Sequence, residues 1–116
     1  MTQYSVAGIT IRIGRRSAAM DQLLLARRQR DAAFVTAYNP FSRPMPPGWN
    51  RRMQGRLALA VRRWPSLPAS GQWRRWCEAH LLIFTAPRPA AVLARRFRQH
   101  AIVMIRLRHP ARLAQI

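Results

Sequence analysis

Glu78 is one of only three acidic residues in a chain with 21 basic ones, all of them arginine. It stands in the segment GQWRRWCEAH, between a tryptophan–arginine cluster and an apolar run. A carboxylate in that setting has two readings. It can pair with a nearby guanidinium, the usual way to hold a charge beside a core, or it can act as a general base or ligand anchor. No partner acid accompanies it, so no catalytic residue is assigned. Thr36 and Asn39 close the run AAFVTAYNP. Asn39-Pro40 punctuates a strand, because the Asn side chain satisfies nearby backbone groups and Pro forbids further pairing. A hydroxyl and an amide at a strand end are also where α/β sheets present polar groups to ligands. With Asn50, Gln99 and His100, these residues form the ligand-binding set that the sequence proposes.

Cys77 and His80 have the C-x-x-H spacing of half a zinc site, and His100 and His109 lie further along. On a strand, however, residues three apart point to opposite faces, and no second paired motif follows. Neither a metal nor a cofactor is expected. Cys77 as a nucleophile beside a His is a weaker reading than Cys77 as a structural thiol.

The net charge of +18 predicts attraction to polyanions, because each neutralised phosphate releases a condensed counterion. Trp73-Arg74-Arg75-Trp76 interleaves aromatic rings with guanidiniums, the chemistry that stacks bases and grips phosphates. Arg51, Arg52, Arg56, Arg95 and Arg98 fall on predicted helices or at their ends and extend the candidate nucleic-acid surface. The alternative is that an arginine-only, Ala- and Pro-rich composition reflects coding bias, with the guanidiniums simply solvated. The single cysteine permits no intramolecular disulfide and suits a reducing, cytoplasmic setting. The uninterrupted apolar runs, Ala101 to Ile105 among the longest, are far shorter than the roughly 20 residues of a membrane span. Arg15-Arg16 is followed by Asp21 and Gln22 instead of an uninterrupted apolar stretch, so an export signal is not expected.

The elements that must position these groups follow from periodicity. Val6 to Ile13 alternates and predicts a half-buried strand. Ser17 caps a predicted helix reaching about Arg28. The continuous apolar run Ala32 to Tyr38 predicts a strand covered on both faces. Residues 41–49, with Pro44, Pro46 and Pro47, form a loop. Asn50 is placed as the N-cap of a helix through Trp64, and residues 65–73 as a second loop. A third strand spans His80 to Ala86, a third helix starts near Pro89, and a fourth strand spans Ala101 to Leu107. Residues 1–4 and 109–116 are expected to fray. The prediction is one α/β (α+β) domain over residues 1–116, with three helices on a four-stranded sheet in the order βαβαβαβ.

The series AAFVTAYNPFSR, Asn50-Arg51-Arg52, WCEAHLLIF and LARRFRQHAIV resembles a bacterial family catalogued as domain of unknown function 3293. The resemblance runs from about Tyr4 to Leu113 and rests on Thr36, Ala37, Asn39, Pro40, Asn50, Glu78, Phe97, Gln99 and Ala101. His80 stands where the family usually has Ser, and His100 where it usually has Asn. The resemblance implies candidate positions and no reaction.

Sharing a site constrains topology. Asn39 ends the second predicted strand, whereas Glu78 and Gln99 precede the third and fourth. An all-parallel sheet would put them at opposite edges. A mixed sheet, with the first two strands running against the last two and the crossover within each of these pairs joining parallel strands, brings them together. Three functions are expected from this reading. The leading one is binding of RNA, or of nucleic-acid backbone generally, through arginines. The rival is a small-molecule site, with or without catalysis, built from Thr36, Asn39, Glu78 and Gln99. The third is a module for an acidic protein partner.

Overall fold

Three of the uninterrupted apolar runs of the chain become strands with both sides buried. Along Asp31–Val35, Ala32 and Phe34 face one core while Ala33 and Val35 face another. Leu82 and Ile83 divide in the same way, as do Val103 and Met104. A strand carries a period of two, so a continuous apolar run supplies two cores.

The computed structural model describes residues 2–116. The chain runs through β1 (Thr2–Val6), β2 (Ile9–Arg12), α1 (Ala18–Ala26), β3 (Asp31–Val35), a 3-10 turn (Pro40–Ser42), α2 (Pro47–Ala60), β4 (Ser66–Trp73), β5 (Trp76–Ile83), α3 (Pro87–Arg96), β6 (Ala101–Arg106) and β7 (Arg112–Gln115). The seven strands form one sheet in the order β2-β1-β4-β5-β3-β6-β7. Every neighbouring pair is antiparallel.

This corrects the expected four-stranded mixed sheet and its βαβαβαβ order, for three local reasons. The alternating Val6 to Ile13 stretch is not one strand. It folds back at Ala7-Gly8, whose φ angles of 48° and 78° give the left-handed backbone of a two-residue hairpin between Val6 and Ile9. The segment expected as a loop over 65–73 is mostly β4, which pairs with β5 along its whole length. Pro68 does not prevent this, because it lies beyond Ala69, the last residue that β1 reaches, where β4 has one neighbouring strand. Residues 109–116 contain β7, zipped to β6 from Ala101–Gln115 to Met104–Arg112. Likewise, residues 2–4 belong to β1.

Helices cover both faces. On one side, α2 and α3 press Leu57, Val61, Ala90, Leu93, Ala94 and Phe97 onto Ala33, Val35, Ile83, Ile102 and Met104. On the other, α1 sets Met20 and Leu24 against Phe34, Leu82, Phe84, Val103 and Ile105. Ser17 caps α1, its Oγ accepting the Met20 N–H at 3.1 Å. The start of α2 differs from expectation. Pro46 is its N-cap and Pro47 its first residue, a position that suits Pro because the N–H there has no helical partner. Asn50 therefore lies inside the helix, with its side chain free to bond elsewhere. Among the described residues, no helix is long and apolar enough to cross a membrane.

Candidate functional site

On β5, Glu78, His80 and Leu82 are alternate residues and share a face. Leu82 lies in the core beneath α1, so Glu78 and His80 continue that face beyond the helix. The register adds their neighbours: Gly71 on β4 is opposite Glu78 and next to Tyr4 on β1, while Trp73 is opposite Trp76. Because β3 runs antiparallel to both β5 and β6, its end brings Asn39 to the start of β5 and Gln99 to its side. The result is a cleft of about 550 Å³ lined by Tyr4, Tyr38, Asn39, Ser42, Pro44, Gly71, Gln72, Trp73, Trp76, Glu78, His80 and Gln99.

A network of side-chain amides holds its polar wall. Asn39 Nδ2 donates to Glu78 Oε2 at 2.8 Å, a charge-assisted bond. Asn39 Oδ1 accepts from Asn50 Nδ2 at 2.9 Å and from the Met45 N–H at 2.9 Å, and Asn50 Oδ1 accepts the Asn39 N–H at 3.0 Å. These bonds clamp a strained turn. Asn39, Phe41 and Ser42 have φ of 46°, 52° and 60°, a region that Asn tolerates better than Phe. The Phe41 N–H also donates to the Arg98 carbonyl at 2.6 Å. Gln99 Nε2 donates to the carbonyls of Tyr38 and Phe97 at 3.1 and 3.2 Å, tying the end of β3 to the start of β6.

His80 is 8% exposed. Its Nδ1 lies 3.1 Å from the Glu78 carbonyl, which can only accept, so Nδ1 carries the proton and Nε2 is an acceptor. Nε2 has no partner among the described residues and is not sealed from the cleft. Burial pulls the His80 pKa down to about 4, against a smaller opposite effect of the Glu78 carbonyl, so the ring is neutral near pH 7. Burial also raises the Glu78 carboxyl, with the Asn39 bond opposing, and raises the Tyr4 phenol, with help from the Glu78 charge. The ion pair that arginine abundance suggested for Glu78 is absent: among the described residues the salt bridge is Arg16–Asp21 at 3.5 Å. No arginine lines the cleft.

Of the sequence-derived ligand set, Asn39, Glu78 and Gln99 meet in this cleft. Thr36 lies beneath it, its hydroxyl donating to the Ala79 carbonyl at 2.6 Å and accepting the Tyr38 N–H at 3.0 Å. Asn50 acts through Asn39 as a buried brace. His100 is exposed and packs on Phe41, with ring centroids 5.2 Å apart, outside the lining. Of the nucleic-acid set, Trp73 walls the cleft, and Arg74-Arg75 form the hairpin tip beside it, with the Arg74 guanidinium 5.1 Å from the Trp73 ring. Arg51, Arg52 and Arg56 lie exposed on α2, as do Arg95 on α3 and Arg98 just past it. Sequence reasoning missed Tyr4, Tyr38, Ser42, Gly71 and Gln72 as lining residues. It considered Trp76 as part of the base-stacking segment with Trp73 and His80 as half a zinc pair. Cys77 is exposed, and no cluster of three metal-ligating side chains occurs among the described residues.

No curated protein and no solved structure matches the chain. A family model described as protein of unknown function DUF3293 matches residues 35–102, more than half of the chain, from the end of β3 to the start of β6. That span contains Thr36, Asn39, Asn50, Glu78 and Gln99 and leaves out Tyr4. The chain belongs to this family, DUF3293.

Proposed function

We propose that the protein is a ligand-binding protein whose cleft takes a small planar molecule rich in hydrogen-bond donors. One observation carries the reading: a half-buried carboxylate, in a chain of 21 arginines, has no cationic partner among the described residues and shares its cleft with a neutral imidazole whose Nε2 is unpaired among them. A carboxylate kept for stability would be expected to take a guanidinium, and unpaired acceptors near a core are unfavourable unless something fills them. The cleft volume lies within the roughly 300–1,000 Å³ usual for small-molecule sites, and four aromatic residues wall it. The test is a thermal-unfolding screen of planar heterocycles against the wild type and Glu78→Gln. Hits that stabilise the wild type and lose their effect in the variant support the reading. No hits, or hits indifferent to the change, overturn it.

A second reading, nucleic-acid binding, is favoured by the exposure of all 21 arginines and the placement of Arg74 over Trp73. The arginines come from nearly every part of the chain, so charge alone marks no single face. The logarithm of the affinity for mixed-sequence RNA should fall against the logarithm of salt concentration with a slope of about 0.7 per phosphate contact in single strands. A flat response would remove this reading.

A further inference from the structure

Resting on the cleft as the binding site, we infer that its ligand is a guanine nucleotide, the base stacked between aromatic walls with its N1–H and N2–H₂ edge on Glu78 and His80, the phosphate held at the mouth by Arg74 and Arg75. Two opposed features of the molecule select this class together.

The first is local. Tyr4, Tyr38, Trp73 and Trp76 line the cleft, and aromatic side chains in a lining favour a flat π system. Two polar groups of the lining, Glu78 and His80, have lone pairs to spare, while the hydroxyls of Tyr4, Tyr38 and Ser42 and the Gln72 amide have no partner among the described residues and can donate, which leaves them available to the guanine O6. Glu78 uses Oε2 for Asn39 and has lone pairs left on both oxygens, and His80 offers Nε2. The Watson–Crick edge of guanine places two donors side by side, a match for a carboxylate, and the second N2 hydrogen remains for another acceptor. Adenine and cytosine put a ring acceptor beside their amino group, and uracil flanks its one N–H with two carbonyls. Each of those turns a lone pair toward the carboxylate and leaves a buried acceptor unsatisfied.

The second is global. An aromatic cleft with a carboxylate also suits an organic cation, but a protein of net charge +18 repels a free cation and attracts an anion. A nucleotide meets both demands, having a donor edge for the cleft and a phosphate for the field. The β4–β5 hairpin joins them, since Trp73 and Trp76 wall the cleft and Arg74-Arg75 are the two residues between them. The same chemistry is offered by a free nucleotide or by an unpaired guanine in a single strand.

The test is quenching of tryptophan fluorescence by GMP, AMP, CMP and UMP, by guanosine, and by pentanucleotides with a central G or A in an otherwise identical strand. GMP should bind at least about tenfold tighter than AMP, CMP or UMP, the worth of one well-made buried polar contact. Glu78→Gln should erase that preference. Arg74→Ala with Arg75→Ala should weaken GMP but not guanosine and keep the base ranking. Trp73→Ala should weaken all four nucleotides alike, a control that does not depend on the fold of the Glu78 variant. Tighter, salt-sensitive binding of the G-centred pentanucleotide than of GMP assigns the guanine to a strand; the reverse order assigns it to a free nucleotide. Equal binding of GMP and AMP, or a preference that survives Glu78→Gln, overturns the inference. If no nucleotide binds while another heterocycle binds in a Glu78-dependent manner, the inference falls and the cleft reading stands. If nothing binds there, both fall.

Discussion

Replacing Gly71 with alanine tests whether the buried imidazole is held as described. A Cβ at Gly71 would lie 2.6 Å from His80 Cε1, 3.0 Å from its Nδ1 and 3.1 Å from Tyr4 Cε1. The first distance lies well inside van der Waals contact. The imidazole has little freedom to yield, since Nδ1 is bonded to the Glu78 carbonyl at 3.1 Å and its plane meets Tyr4 nearly edge-on at 5.4 Å. Moving it breaks the hydrogen bond, worth about 1 kcal/mol, and overpacking adds about 1–3 kcal/mol. Gly71→Ala should therefore destabilise by about 2–4 kcal/mol, or roughly 8–16 °C in Tm for a domain of this size. His80→Ser removes the obstructing ring, so in that background Gly71→Ala should cost less than about 1 kcal/mol, with the residue from Tyr4. Denaturant unfolding of wild type, both single variants and the double variant gives the coupling. Additivity within about 0.5 kcal/mol would refute the packing of His80 against Gly71.

Other expectations follow from the same contacts. Asn50→Ala removes an acceptor for the Asn39 N–H and a donor to Asn39 Oδ1 at a buried position, so chemical denaturation should report a loss of about 2–3 kcal/mol. Glu78→Gln should leave the Tm at pH 7 unchanged or raised, because burial lifts the Glu78 pKa and so disfavours its ionised form in the fold; a large fall in Tm would contradict this. The His80 pKa of about 4 lies below its ordinary 6.5, so the unfolded chain takes up this proton first. The stabilising contribution of neutral His80 is complete above pH about 6.5 and is lost as the pH falls toward 4, by about 2–3 kcal/mol. The raised Glu78 pKa acts in the opposite sense, with its penalty present above its folded pKa and relieved below it. Subtracting the pH–stability profile of His80→Ser from that of the wild type isolates the histidine, and a flat difference would contradict its burial as a neutral ring.

Much of the interior was legible because burial on two faces leaves a plain mark. The runs at 32–35, 82–84 and 102–105 are apolar throughout, and Ala90, Leu93, Ala94 and Phe97 repeat at helical spacing. The missing strands carry no such mark. SLPASGQW is small, polar and interrupted by Pro and Gly, and β4 is held by ladder bonds to its two neighbours more than by apolar burial. The turn joining it to β5 is Arg74-Arg75, with Arg74 at φ 53°, and neither residue announces a hairpin. Missing β4 left the opposed direction of β5 without a cause in the predicted order. A helix crossover from β3 straight to β5 would ordinarily make those strands parallel, whereas the extra strand between them in the chain reverses β5. The convergence of Asn39, Glu78 and Gln99 needs only β3 to oppose β5 and β6, which run alongside it on either side. Tyr4 and Gly71 entered the cleft through cross-strand register, which one sequence does not display.

The most direct test of the cleft as the binding site is the set of tryptophan indole N–H signals in a ¹H–¹⁵N correlation spectrum during titration with GMP. Trp73 and Trp76 line the cleft, whereas Trp64 packs against the core on the opposite face of the sheet. The account predicts that the indole signals of Trp73 and Trp76 and the amides of Gly71 and His80 shift together and saturate while Trp64 stays still. Shifts spread over the arginine-bearing helices, with Trp73 and Trp76 unmoved, would contradict it.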